Sequence, residues 1–413
     1  MVLIETVLDT VATGTSVDVD TDHQEPGSKS VLGRPLLGTF FLEPDVHYLN
    51  HGAFGALSRP VSETANSLRR RIEAQPSRFL NEDLPDMIRK SADRLGEFVG
   101  ARGQDLVFVP NATTAINAVL RSLVLLPGDE VVTTTHVYGA VARTLEFVCE
   151  RSGARLVHAK LPFPATSPDD LTDAVLSAVT GRTRLIVVDH VTSPSALVVP
   201  IQGITDFAAD RGIQVLVDGA HGPGMLPLQI EALNATWYAG NCHKWLGTPR
   251  GCGFLWTKPS RQSLVRPTTI SHGVGVGYTE AFDWPGTIDF TPWLCVDAAL
   301  DFRADIGEKR INTHCLKTIR KGAKLVASSV GGELGGTRQL MSFMAAIHLP
   351  VKRKASKKDA LSLRSVLRNR HGIEVSMECI DDEIWMRVCA YVYNDISDFE
   401  ALADVLPDAL KSL

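Results

Sequence analysis

The stretch IQVLVDGAH at 213–221 is a run of aliphatic and β-branched residues that stops on a carboxylate and turns within three residues. Such a run reads as a strand buried on both faces. Working outward, the same kind of unit recurs at LVFV (106–109), EVVTTT (130–135), RLVHA (155–159), RLIVVDH (184–190) and GFLWT (253–257), separated by amphipathic helical stretches. This alternation predicts an α/β fold built on a mostly parallel sheet. Each apolar run ends in a polar cluster, and ligands of open α/β sheets bind at the carboxyl ends of strands. The candidate site residues are therefore strand-end residues.

Beyond about residue 300 the pattern changes. Long helical segments (AALDFRADIGEKRI, KKDALSLRSVLRNRHG, ISDFEALADVLPDAL) surround short strands such as IWMRVCAYVY, which predicts a smaller α+β domain over 296–413. The larger domain is expected over 36–295, with 36–60 reaching the site. Residues 1–35 are polar and acidic without sustained periodicity and read as an extension or late-docking arm.

Composition sets bounds on function. The 413 residues are 44% hydrophobic and 22% charged, enough apolar material for a large core and a smaller one. The formal charge of -5, without a dense Lys/Arg run, argues against nucleic-acid and membrane partners and for a small-molecule substrate. Seven scattered cysteines, none in CxxC spacing, indicate neither a disulfide framework nor a zinc site, and a cytoplasmic location fits. The N-terminus lacks the basic start of a signal peptide, and no apolar run reaches the roughly 18 residues of a membrane span.

The polar clusters match the needs of one cofactor. Pyridoxal phosphate (PLP) requires a lysine to bind its aldehyde, a carboxylate for its protonated pyridine nitrogen, donors for its phosphate and a flat face for its ring. Lys244, in AGNCHKWLGTPRGCGFL (239–255), is a Schiff-base lysine if burial and neighbouring cations depress its pKa, and an ordinary loop lysine otherwise. Asp218 ends an apolar strand, where a carboxylate needs a cationic partner or serves as a helix cap. His221 follows one short turn later, placed for the ring hydroxyl. In PNATTAINAVLRSL (110–123), Asn111, Thr113 and Thr114 stand where a strand gives way to a helix, which suits a phosphate or a plain capping turn. Tyr138, in TTTHVYGAV, offers a stacking face, with His136 as its competitor.

These residues together resemble the class V aminotransferase family of fold-type I PLP enzymes. The resemblance rests on DGAH at 218–221, GNCHKWLGTPRGCGFL at 240–255, NATTA upstream and YLNHGAFG at 48–55, and runs from about Tyr48 to the C-terminus. It is nearest to the branch holding isopenicillin N epimerase and the hercynylcysteine sulfoxide lyases. It implies a large domain with a seven-stranded sheet and a smaller C-terminal domain. It also implies that Asn241 and His243 join Thr113 and Thr114 around the phosphate, that Tyr138 stacks on the ring, and that Thr287 reaches the phosphate of a neighbouring subunit in a homodimer. Arg387 in IWMRVCAYVYN would fork the substrate carboxylate, a task a guanidinium suits. Asn50, His51 and Arg78 would lie on the substrate side.

The departures are informative. Ser193, in HVTSPSA (190–196), stands where the related cysteine desulfurases carry an asparagine near the ring. Those enzymes also need a nucleophilic cysteine before the carboxylate arginine, and Cys379 falls too close to Arg387 for that register. The resemblance then points to β-elimination of a cysteine S-conjugate in antibiotic or thiol biosynthesis, as in lincosamide pathways. Epimerisation, oxygen-dependent decarboxylation or deamination, and transamination are the other reactions of this chemistry, and a non-catalytic PLP-binding protein is the reading of another class.

Overall fold

The computed structural model describes residues 31–411. The first thirty residues of the expected extension lie outside them. The chain beyond is anchored: the Gly33 N–H donates to the Val392 carbonyl at 2.8 Å, and Arg34 Nη1 donates to the fully buried Asp398 at 3.1 Å.

Seven strands form the main sheet: β1 (Leu106–Val109), β2 (Glu130–Thr134), β3 (Arg155–Ala159), β4 (Thr183–Asp189), β5 (Gln214–Gly219), β6 (Trp237–Asn241) and β7 (Gly253–Thr257). Their order is β1-β7-β6-β5-β4-β2-β3, and all are parallel except β7, which runs antiparallel to both neighbours. Six of the seven coincide with the runs read from the sequence. The seventh, β6, is WYAGN, in which Ala239, Gly240 and Asn241 cut short the strand signal of Trp237 and Tyr238, yet every one of its residues is buried.

Alternate residues of the central strands feed opposite faces, as the two-residue period requires. Val215 and Val217 of β5 pack, with Ile186 and Val188 of β4, on the side covered by helices such as α1 (Leu84–Val99). Leu216, Leu185 and Val187 face the other side, against α2 (Ala112–Ser122) and α3 (Gly139–Ser152). Both faces are apolar, so only the strand ends can hold polar groups.

A second core is built on the antiparallel strands β8 (Met344–Leu349), β9 (Ser376–Ile380) and β10 (Glu383–Cys389), in the order β9-β10-β8. Leu49 of the N-terminal segment is buried in it. The stretch AALDFRADIGEKRI is not one helix. It is divided at Gly307, whose φ of 94° lies in the left-handed region, into α4 (Val296–Ile306) and α5 (Glu308–Val330). A further cluster joins Phe40, Trp245, Phe343, Tyr391 and Tyr393, and so ties the N-terminal segment, the loop after β6 and the end of β10 together.

Candidate active site

A cavity of about 450 Å³ opens at the carboxyl ends of β4, β5 and β6 and against the starts of α2 and α3. The sheet supplies its floor. Asp218 ends β5 and Asp189 ends β4; the two are direct neighbours in the parallel register, and both line the cavity. Asp218 is 4% exposed and Asp189 2%. Burial raises the pKa of both; for Asp189 the rise is large, and the Asp218 charge adds to it. The Ala220 N–H, donating to Asp218 Oδ1 at 3.0 Å, and the Lys244 charge favour ionised Asp218. Two buried carboxyls this close cannot both hold a charge cheaply, so Asp189 keeps the proton and Asp218 the charge.

Lys244 reaches the cavity from the loop between β6 and β7, which the Cys242 and His243 N–H groups close by donating to the Cys252 carbonyl. Burial first, then the Arg387 charge, lowers its pKa to about 8, with Asp218, Cys389 and Asp189 opposing. Its Nζ lies 3.2 Å from His221 Nε2. A lysine held near this value is about one-tenth free amine at neutral pH, far more than an ordinary lysine, as a Schiff-base lysine requires.

At the start of α2, Asn111 is the N-cap: its side-chain oxygen accepts from the Thr114 N–H at 2.9 Å and the Thr114 hydroxyl at 3.2 Å. Asn241 accepts from the Ala112 N–H at 2.8 Å. These two residues therefore shape the helix terminus, while the Thr113 amide and hydroxyl have no protein partner among the described residues. His243 donates from Nδ1 to the Cys252 carbonyl at 2.8 Å, which leaves Nε2 for a ligand. An anion at this helix start gains the exposed donors and the positive end of the helix dipole.

Of the two stacking candidates, Tyr138 lines the cavity and is 45% exposed. His136 is buried against Phe163, with Nδ1 2.7 Å from the Ser195 hydroxyl, and does not line it.

On the substrate side, Arg387 of β10 is 4% exposed. It donates from Nη1 to the Ser193 carbonyl (2.6 Å) and hydroxyl (3.1 Å) and from Nη2 to the Asn50 side chain (3.3 Å). Its Nε is buried without a partner among the described residues. Ser193, Asn50 and Arg387 thus form one cluster that meets the cavity at Ser193. His51 is not on the cavity wall. It is fully buried, stacked on Tyr391 at 3.8 Å, with Nδ1 2.8 Å from the Tyr393 hydroxyl and Nε2 donating to the Lys244 carbonyl at 3.1 Å; it stands behind the lysine. Arg78 is exposed on a short helix and does not line the cavity. Thr287 is exposed in the turn before Phe290 and likewise is absent from this chain's own cavity.

The sequence reading did not single out Asp189, Phe54 or Trp245. Asp189 carries the same signature as Asp218, an apolar strand ending on a carboxylate. Phe54, 64% exposed and on the cavity wall, and Trp245, fully buried behind His221, carry no signal in a single sequence.

The donor set fits PLP. Among the described residues no Lys, Arg or His lies within ion-pair distance of Asp218, so this buried carboxylate lacks the cation that its position demands. A protonated pyridine nitrogen supplies one.

The family model for aminotransferase class-V matches residues 48–402. Isopenicillin N epimerase of Amycolatopsis lactamdurans is 32% identical over 90% of this chain and 96% of its own length. A probable chloroplastic L-cysteine desulfhydrase of Arabidopsis thaliana is 29% identical over 88% of this chain and 83% of its own. Among solved structures, the lyase C-DES, in a variant with glycine covalently linked to its PLP cofactor, superimposes with a TM-score of 0.76 at 18% identity, over 88% of this chain and 97% of that one. The fold is therefore that of the fold-type I enzymes, and with its sequence matched from Tyr48 to Leu402 the chain belongs to the aminotransferase class-V family.

Proposed function

We propose that the chain is a PLP-dependent lyase that cleaves the C–S bond of a cysteine S-conjugate by β-elimination. The observation that carries this reading is that, among the described residues lining the cavity, Lys244 is the base best placed to act on the substrate's Cα. His221 is held between Trp245 and Lys244, His243 is turned to the Cys252 carbonyl, and Asp189 and Asp218 are buried at strand ends. That leaves Lys244 as the group able to take a proton from the substrate's Cα and return one to a leaving group. Epimerisation calls for a second base on the opposite face.

Bound PLP supplies an electron sink for charge developing at the substrate's Cα. Lys244 anchors it, Asp218 balances its ring nitrogen, His221 meets its ring hydroxyl, and Tyr138 covers the ring. Thr113, Thr114, Asn241 and His243 surround its phosphate, with Asn111 capping the helix beneath and Thr287 contributed by a second subunit of a homodimer. Arg387, with Asn50 and Ser193, receives the substrate carboxylate, and the unpartnered Nε is the donor kept for it. A carboxylate held this way is retained, which disfavours decarboxylation.

The relatives named L-cysteine desulfhydrase support C–S cleavage, and those named isopenicillin N epimerase support a specialised substrate in secondary metabolism. None of the seven cysteines lines the cavity. Cys379 sits on β9, where it donates to the Ala355 carbonyl, so the reading requires no enzyme persulfide. No helix among the described residues is long and apolar enough to cross a membrane.

The test is a panel of cysteine S-conjugates and simple amino acids, scored for pyruvate, ammonia, carbon dioxide, hydrogen peroxide and Cα deuterium exchange. Equimolar pyruvate and ammonia are expected. Exchange without pyruvate would make the enzyme an epimerase, and carbon dioxide with oxygen uptake would make it an oxidative decarboxylase. The holoenzyme should absorb near about 420 nm, the band of a PLP–lysine Schiff base, and Lys244→Ala should lose it; a band that survives refutes the role of Lys244.

A further inference from the structure

Trp245 follows the lysine and is fully buried, with its ring 4.9 Å from that of His51 and 5.7 Å from that of Phe343. Its position is over-determined. Arg303, itself 1% exposed, donates from Nη1 to the Trp245 carbonyl at 2.7 Å, and the Tyr391 hydroxyl donates to the same oxygen at 3.1 Å. The indole Nε1–H donates to His221 Nδ1 at 3.3 Å. An indole N–H is a donor only, so the nitrogen that receives it carries no proton. Neutral His221 must then hold its proton on Nε2, the atom 3.2 Å from Lys244 Nζ.

We propose that Trp245 is a positioning residue that locks His221 in the Nε2–H tautomer, and that this tautomer, by donating to Lys244, keeps the lysine amine uncharged and ready to take up its carbonyl partner. The chain of donors runs one way, from indole to imidazole to amine. A lysine ammonium has no acceptor to offer an Nε2–H, whereas the neutral amine has one lone pair, so the lock favours the neutral form. Protonation of His221 itself is opposed by its burial first, then by the Lys244 and Arg387 charges, and by the indole N–H that already occupies Nδ1. The other charged or titratable groups facing Lys244 are Arg387 and Cys389 on β10, Asp218 on β5 and Asp189 on β4, and the indole N–H donates to none of them.

The inference rests on Lys244 as the anchor, and the experiment separates the two. The first arm needs no cofactor: in the 15N-histidine-labelled apoprotein, His221, assigned by its loss in His221→Gln, should show a protonated Nε2 and a bare Nδ1. Trp245→Phe, which keeps a ring but removes the donor, should admit the Nδ1–H tautomer. The second arm follows the rate at which PLP develops the visible band with apoprotein across pH. In the wild type this rate should rise through about 8, and in Trp245→Phe the midpoint should move up by up to about one unit, the scale of one hydrogen bond between neutral groups. A merely structural role would lower the melting temperature and leave the midpoint in place. A wild-type His221 protonated on Nδ1 overturns the proposal whether or not the variant folds, and so does an unmoved tautomer in Trp245→Phe. Absence of the band in the wild type at every pH would refute the anchor while leaving the tautomer result to stand by itself.

Discussion

Asp218 and Asp189 end neighbouring parallel strands in direct register and are buried alike; the Ala220 N–H at Asp218, and the further rise that the Asp218 charge imposes on Asp189, set them to different tasks. Asp189 Oδ2 has no hydrogen-bond partner among the described residues, which a protonated carboxyl tolerates better than a charged one. Asp189→Asn, which keeps the shape of a neutral acid, is therefore expected to hold PLP within about threefold of the wild type, since it removes no charge. Asp218→Asn removes the charge that balances the pyridine nitrogen and should cost on the order of 10²-fold in turnover, the scale of one lost preorganised electrostatic contact. Steady-state turnover and cofactor loss on dialysis measure both, and equal losses in the two variants would refute the division of roles. Asp218 is legible in the sequence because its run ends in a turn with His221 and precedes Lys244 by a short interval. Asp189 has the same run but becomes meaningful only when β4 and β5 are known to be neighbours, and strand order is a property of the fold. His51 is legible as part of YLNHGAFG, yet its position behind the lysine depends on Tyr391 and Tyr393, more than 300 residues away in sequence.

The lysine loop between β6 and β7 is the element on which the site depends, and its neighbours leave it little room. Gly55, at φ 69°, closes the short turn from the N-terminal segment onto the loop, and a Cβ there would meet the His243 carbonyl oxygen at 2.1 Å. Gly55→Ala combines a left-handed backbone with a backbone clash, and is expected to cost about 2–4 kcal/mol. Thermal unfolding reads that cost. Because the displaced group is the His243 carbonyl, the variant should also release PLP faster than a surface substitution of equal stability cost does. An unchanged melting temperature would mean that the loop and the N-terminal segment are not packed as described. At this scale the sequence is uneven. The β-branched strands of the main sheet are read to within about two residues, because burial on both faces selects Val, Ile and Leu in its central strands. β6 is missed because Ala239, Gly240 and Asn241 leave room for other groups: a Cβ on Gly240 would collide with Phe254 at 2.3 Å. Gly307 divides two helices whose apolar periodicity runs on across it, and only its positive φ reveals the break.

The proposed homodimer is a property of the whole molecule, and its support lies on the outside of the fold. Thr287 and Ile288 are exposed, as are Ile270 and Val276 in the same connecting region, while Phe54 and Tyr138 line the cavity and are also exposed. Burying such side chains against a partner would be favourable. If Thr287 serves the phosphate of the opposite subunit, it and Lys244 belong to different sites on one chain, and that arrangement can be tested by mixing. Homodimers of Lys244→Ala have no anchor at either site, and homodimers of Thr287→Ala have a weakened phosphate site at both. In a mixed dimer, one site takes its lysine from the Thr287→Ala chain and its threonine from the Lys244→Ala chain, so it is fully native; the other carries both lesions. With equal amounts and free exchange, about half the dimers are mixed. Each should recover one native site, visible as tightly held PLP and as turnover near one quarter of the wild-type value per total subunit. Light scattering should report a dimer throughout. Recovery to no more than the average of the two parent variants would place Thr287 with its own chain's lysine and remove the reason for a shared site.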